Sequence, residues 1–131
     1  MFLGTYESVI NEKKRMTLPS KLVKHLTKKQ LVIGKGFEEC INGFALDTWE
    51  KQTQEYLTAP LLDKNARSVR RFVFSNSVII PYDNQSRIVI PPFLVEYAKI
   101  DKEIAIIGSG DHFEIWDRAT WYKYEKTLSS V

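Results

Sequence analysis

Several features are scarce in this chain of 131 residues, and each absence argues against a class of protein. The single cysteine, Cys40, cannot form a disulfide within the chain, and a lone thiol is typical of a reducing cytoplasm. No apolar run approaches the roughly 20 residues that a membrane-spanning helix needs. The charges near the N-terminus follow the apolar residues, which is the wrong order for a signal peptide. We therefore expect a cytoplasmic protein with no membrane partner.

Sequence motifs of enzymes are also missing. His25 and His112 lie far apart, and neither has a second ligand at the spacing of a metal site. The glycine turns at 34–36 and 108–110 lack the Lys-Ser/Thr ending of a phosphate-binding loop. Hydrophobic residues make up 44% of the chain and charged residues 27%, which is ordinary for a globular domain. These observations predict a folded protein without catalytic activity, cofactor or metal.

Positive charge is concentrated in the first part of the chain. Residues 1–36 contain eight basic side chains against Glu7 and Glu12, a balance of +6, whereas the remaining residues carry 11 basic and 14 acidic side chains, a balance of −3. A basic segment of this kind is found both on solvated faces and on surfaces that bind nucleic acid. Charge alone leaves both interpretations open.

The chain contains an internal repeat. A shift of 72 residues places Asn11 on Asp83, Arg15 on Arg87 and Pro19 on Pro91. Each copy ends in a predicted helix with a tryptophan, Trp49 or Trp121. The pattern predicts a tandem duplication with halves at residues 1–62 and 63–131. Each half is expected to run strand, tight turn, strand, short helix, strand, strand, helix.

Local signals predict where several elements begin. An Asx residue opens each tight turn, and its side chain can accept a hydrogen bond from the backbone two residues on. Pro19 and Pro91 stand where the short helices should start. Residues 63–74 are expected to form an amphipathic helix with Ala66, Val69 and Val73 facing inward. We also expect Asp47, with Glu50, and Asp117 to cap the two tryptophan-bearing helices.

The repeated arginine has two interpretations. Asp83 and Arg87 can form an ion pair that holds a hairpin together, although an exposed pair of this kind contributes little stability. The first copy has Asn11 instead of an acid, so an ion pair cannot explain both copies. Arginine is suited to bidentate contact with guanine or phosphate, and Lys13 and Lys14 add positive charge beside Arg15. We place the DNA interpretation ahead of the ion-pair interpretation.

Four segments together resemble the MraZ family. They are MFLG (1–4), NEKKRMTLP (11–19), DNQSRIVIP (83–91) and FEIWD (113–117), and the resemblance covers nearly the whole chain. It implies an α+β fold, a tandem-duplicated, swapped-hairpin β-barrel of the SpoVT–AbrB type with short flanking helices. The two halves would complete one barrel within a single chain.

The resemblance also implies a function. MraZ-like proteins are expected to be nucleoid-associated transcriptional regulators of the division and cell-wall gene cluster, binding short repeats in double-stranded promoter DNA as ring-shaped homo-oligomers. The DNA-contacting arginines carry over to Arg15 and Arg87. Supporting positions in the same two turns are Asn11, Lys13, Lys14 and Asp83, of which Lys14, like Ser86, replaces the family's usual glycine. The alternative is a protein-interaction module of the antitoxin type, although an antitoxin is expected to have one barrel half and a long disordered tail.

Overall fold

The computed structural model describes residues 1–130, in which the predicted order of elements occurs twice. The first half contains β1 (Thr5–Val9), β2 (Arg15–Thr17), α1 (Ser20–Val23), β3 (Gln30–Lys35), β4 (Ile41–Phe44), α2 (Leu46–Gln52) and α3 (Gln54–Thr58). Helix α4 (Lys64–Ser75) leads into the second half. That half contains β5 (Ser77–Pro81), β6 (Arg87–Val89), α5 (Pro92–Tyr97), β7 (Glu103–Gly108), β8 (Phe113–Asp117), α6 (Arg118–Glu125) and a 3₁₀ helix (Lys126–Ser130). The chain thus has a mixed α+β fold.

Six of the strands form one antiparallel sheet in the order β1-β7-β8-β4-β3-β5. Strands β4 and β8, one from each half, pair at its centre, with Ile41 opposite Ile115. Both edge strands pair with the other half: β1 lies against β7, and β5 lies against β3. Neither half can therefore complete its own strand pairing.

The remaining two strands form a separate antiparallel ribbon, β2 against β6. The sequence suggested that β1 and β2 would pair as a hairpin across the first tight turn, and likewise β5 and β6. In the structure each turn is closed locally, by Asn11 N–H to Arg15 O and by Asp83 N–H to Arg87 O. Beyond the turns the strands separate. Within residues 1–130, β2 pairs only with β6, because the buried Met16 and Ile88 face the same core.

The core lies on both faces of the six-stranded sheet. Strands β3 and β7 are short apolar runs with four consecutive buried residues each, as expected for strands covered on two sides. The main core joins the two halves and contains side chains at most 2% exposed, such as Leu22, Ile88 and Leu94. A smaller cluster on the opposite face of β7 and β8 contains Cys40, Ala105, Ile107, Trp116 and Trp121. Cys40 is buried, and burial raises the pKa of its thiol well above the ordinary value.

Most of the local predictions are confirmed, with two corrections. Pro19 and Pro91 occupy the positions just before α1 and α5, and the Asp117 carboxylate accepts a hydrogen bond from Thr120 N–H at the start of α6. Asp47 does not cap α2, because that helix begins earlier, after Ala45, and the Asp47 carboxylate accepts from the N–H of the next residue, Thr48.

The linking helix forms as predicted, with one inward position wrong. Asp63 caps α4 by accepting from the N–H groups of Asn65 and Ala66. Ala66 and Val73 are half-buried, whereas Val69 is 37% exposed. No residue of α4 is fully buried, so this helix covers the sheet loosely.

Candidate nucleic-acid interface

The two repeated arginines lie on the same face of the β2–β6 ribbon. Met16 and Ile88 are opposite each other at the centre of the ribbon and are 2% and 1% exposed. Because side chains alternate along a strand, the residues on either side of this pair face away from the core. Those residues are Arg15 opposite Val89 and Thr17 opposite Arg87. The buried pair therefore anchors a ribbon whose outer face carries both arginines.

The first tight turn is held by Asn11. The Oδ1 atom of Asn11 accepts hydrogen bonds from Lys13 N–H at 3.0 Å and from Arg15 N–H at 2.9 Å. A further backbone bond joins Lys14 N–H to the carbonyl oxygen of Asn11 at 2.9 Å. These hydrogen bonds fix the position of Arg15 at the start of β2, and none of them involves a charged side chain.

The second turn repeats this geometry with a carboxylate. Oδ1 of Asp83 accepts from Gln85 N–H and from Arg87 N–H, both at 2.9 Å. The backbone N–H of Arg87 is the main cause of a lowered Asp83 pKa, and it acts against the effect of burial, which raises the pKa. The guanidinium of Arg87 lowers the pKa further, because Nε donates to Oδ2 of Asp83 at 2.8 Å.

Both turns force a side-chain-bearing residue into left-handed backbone. Lys14 and Ser86 each have a φ of 62°. Glycine adopts this conformation without steric cost, whereas other residues rarely do so. Because these two angles are equal, the two turns have the same backbone conformation at this position, although neither contains the glycine that is usual in similar motifs. The hydrogen bonds of Asn11 and Asp83 hold this conformation in place.

The ribbon brings the two arginines close together, which their 72-residue separation could not show. They are diagonal neighbours across an antiparallel pair, a spacing of about 7–8 Å in such ladders. Both line a depression of about 300 Å³ together with Tyr82 and Val89. Val89 is 49% exposed, so the floor between the arginines is partly apolar.

The two arginines are not equivalent. The side chains of Arg87 and Asp83 are 39% and 41% exposed, and the ion pair uses only the Nε atom of Arg87. Arg87 is therefore half-buried and held in one orientation by Asp83. Within residues 1–130 no carboxylate forms an ion pair with Arg15, which is exposed. The ion pair does not hold the turn, because Asn11 builds the same turn without one.

Sequence patterns missed one basic residue beside the second turn. The Lys29 side chain donates to Oδ1 of Asn84, and the Lys29 carbonyl accepts from Tyr82 N–H at 3.1 Å. Lys13 and Lys14 lie in the first turn, where Lys13 is exposed and Lys14 half-buried. The basic residues in and beside the two turns thus include Lys13, Lys14, Arg15, Lys29 and Arg87, together with the acidic Glu12 and Asp83. No sequence spacing indicated Lys29, since it lies 55 residues from Asn84.

Comparison with known families supplies the assignment. A family model described as "MraZ protein, putative antitoxin-like" matches residues 1–72 and again residues 73–131. The chain belongs to the MraZ family. The double match also confirms the two repeats. MraZ membership indicates a regulator-like or antitoxin-like protein.

Two other kinds of site are not found in the described part of this MraZ chain. Among residues 1–130, no three His, Cys, Asp or Glu side chains are grouped so that they could hold a metal ion. No helix in the same range combines the length and apolar character required to cross a bilayer.

Proposed function

We propose that this MraZ protein is a sequence-specific DNA-binding transcriptional regulator of the division and cell-wall gene cluster. In this proposal the β2–β6 ribbon enters the DNA groove, and Arg15 and Arg87 contact bases or phosphates. Lys13, Lys14 and Lys29 add phosphate contacts, while Asn11 and Asp83 set the turns. One observation carries the proposal: two arginines from different halves share the outer face of one ribbon.

The dimensions and rigidity of the ribbon support this function. A two-stranded ribbon fits the major groove of B-DNA, where arginine can bind guanine O6 and N7 together. The buried Met16 and Ile88 fix the ribbon to the core, so little conformational entropy is lost when it binds. Asp83 engages only Nε of Arg87, which leaves both terminal nitrogens of the guanidinium available for DNA.

The proposal extends to the barrel and its assembly. The exchanged pairs β1–β7 and β3–β5 and the shared β2–β6 ribbon support a swapped-hairpin β-barrel, with halves at residues 1–62 and 63–131. The two halves are alike but not identical, so unlike faces of neighbouring chains can meet and close a ring. Such a ring, located at the nucleoid in the cytoplasm, would present several ribbons to one promoter. A single monodisperse 15.2 kDa species in light scattering at micromolar concentration would contradict the ring.

The arginines can be tested by substitution. Arg15→Ala and Arg87→Ala should leave folding and oligomer size unchanged, and both should weaken binding to the DNA upstream of the protein's own gene. Loss of a base contact costs about 1–3 kcal/mol and reduces preference over random DNA. Loss of a phosphate contact weakens binding to all sequences and reduces the salt dependence by about one unit.

Arg71→Ala is the matched control, because Arg71 is an exposed arginine on α4, away from the ribbon. Fluorescence anisotropy with labelled promoter and random duplexes at several salt concentrations measures both quantities. Wild-type affinity in both ribbon variants, or an equal loss in Arg71→Ala, would refute the proposed interface.

The antitoxin-type protein-interaction module is the second candidate, and the description of the matched family favours it. Under this alternative the chain shows no preference for promoter DNA over random DNA. The ribbon substitutions would then alter capture of a protein partner instead. Competition between the two duplexes in the same anisotropy assay separates the candidates.

A further inference from the structure

A cavity of about 270 Å³ lies between the sheet and helices α2, α3 and α4, away from the arginine-bearing ribbon. Its walls come from β3, β4, α2, α3 and α4, together with the segment that leads into β8. Four large aromatic side chains contribute to the walls, Phe37, Phe44, Trp49 and Tyr56. Small-molecule sites commonly combine such apolar walls with a few charged groups.

The second half provides an internal comparison, because the 72-residue shift relates Phe44 to Trp116 and Trp49 to Trp121. In the second half, Tyr124 stacks on Trp116 with ring centroids 5.0 Å apart, and Trp121 is 7% exposed. The residue equivalent to Tyr124 in the first half is Gln52, which is exposed and lines the cavity. The first half therefore lacks the aromatic ring that packs on the sheet in the second half.

One side of the cavity carries a cluster of charged groups. His112 stacks on Phe44 with centroids 5.0 Å apart, and its two ring nitrogens contact Asp111 at 2.7 Å and Glu114 at 3.2 Å. Burial alone would lower the pKa of His112, but the hydrogen bonds to the two carboxylates outweigh it and raise the pKa. Glu38 and Lys35 also line the cavity, and the ammonium of Lys35 lies 5.0 Å from the Tyr97 ring centroid.

One buried acceptor at the cavity wall has no hydrogen-bond donor in the described part of the chain. Asn42 lines it, and the buried Oδ1 atom of Asn42 has no hydrogen-bond partner within residues 1–130. A buried acceptor without a donor is destabilising, and an ammonium group supplies three donors. An ammonium is also attracted by the carboxylates and by the faces of aromatic rings.

We propose that this cavity binds a small aromatic amine, with its ring between Phe44 and Trp49 and its ammonium toward Asp111 and Glu114. The ring would take the place that Tyr124 fills in the second half. A site of this kind would let a small molecule act on the protein from outside the ribbon. The inference does not depend on DNA binding.

Three probes of one shape test the charge preference by isothermal titration calorimetry on the full chain. Tyramine is the cation, 4-ethylphenol the neutral analogue and 4-hydroxyphenylacetate the anion. Tyramine should bind at one site per chain, and the anion should bind more than about tenfold more weakly because it faces the carboxylates. No heat with tyramine at millimolar concentration, or equal binding of the anion, would overturn the proposal.

Two substitutions locate the binding. Asp111→Asn should weaken tyramine about two- to fivefold and leave 4-ethylphenol unchanged, as expected for loss of one partly exposed charge. Asp101→Asn, the same change at an exposed position outside the cavity lining, is the control and should have no effect. Gln52→Tyr copies the second half and should abolish binding of tyramine and 4-ethylphenol.

Unchanged tyramine affinity in both Asp111→Asn and Gln52→Tyr would place the binding elsewhere and overturn the proposal. A second result would also overturn it. In that result tyramine does not bind, and the melting temperature depends on protein concentration for the wild type but not for Gln52→Tyr. The cavity would then be a contact between subunits. Either failure leaves the ribbon proposal intact, because no DNA is present in these titrations.

Discussion

Replacing Asn11 by alanine tests whether the Asx side chain, rather than an ion pair, holds each tight turn. The change removes the acceptor for Lys13 N–H at 3.0 Å and Arg15 N–H at 2.9 Å. Lys14 would then have to keep a φ of 62° without that support. A side-chain acceptor at the start of a helix stabilises a protein by about 0.5–2 kcal/mol, and we expect about 1 kcal/mol here because the turn is exposed.

This loss of stability is measurable by thermal unfolding. Unfolding entropy is about 2.1 cal/mol/K per residue, so a loss of 1 kcal/mol lowers the melting temperature of a chain this long by roughly 4 °C. Asn11→Asp is the matched control, because it retains the acceptor and copies the second turn, and it should melt close to wild type. Both variants are compared with wild type at one protein concentration, since oligomerisation shifts the melting temperature.

The same variants distinguish the two explanations of the repeat. If Asn11→Ala melts like wild type, the Asx bonds do not hold the turn and the reasoning is refuted. If Asn11→Asp instead stabilises the chain by several degrees, ion pairing with Arg15 is the dominant effect. DNA affinity should fall in Asn11→Ala, because the turn no longer positions Arg15.

Three further predictions concern the second turn and the exchange of strands. Ser86→Gly should raise the free energy of unfolding by up to about 1 kcal/mol in chemical denaturation, because glycine relieves the left-handed strain while adding freedom to the unfolded chain. The lowered pKa of Asp83 stabilises the fold above the unfolded-state pKa of about 3.9, and this contribution is lost as the pH falls through the folded-state pKa. Asp83→Asn should therefore lose less stability than wild type between pH 5 and pH 2 in acid titrations followed by circular dichroism. Residues 1–62 and 63–131 expressed separately should not fold, because each leaves strands without their partners, and a cooperative melt of either fragment would contradict this.

The sequence by itself determined the features that depend on neighbouring residues. The Asx residue, the prolines before α1 and α5 and the apolar runs of β3 and β7 each act over a few positions, so their signals survive in the linear chain. The prediction failed at Asp47 because the capping-box spacing also occurs inside the first turn of a helix that begins earlier, after Ala45. The duplication was equally visible, since two copies of one motif need no structure to be compared.

Only the tertiary structure decided which strands pair. A tight turn between two strands predicts a hairpin, because short loops are the easiest to close. The structure instead pairs β2 with β6, where Met16 and Ile88 bury their side chains against one common core. The β2–β6 pairing places Arg15 beside Arg87, and the β3–β5 pairing brings Lys29 to Asn84. The packing of the helices on the sheet leaves a cavity where Gln52 replaces an aromatic ring. Each of these contacts joins residues distant along the chain, so burial in three dimensions, rather than any local pattern, brings them together.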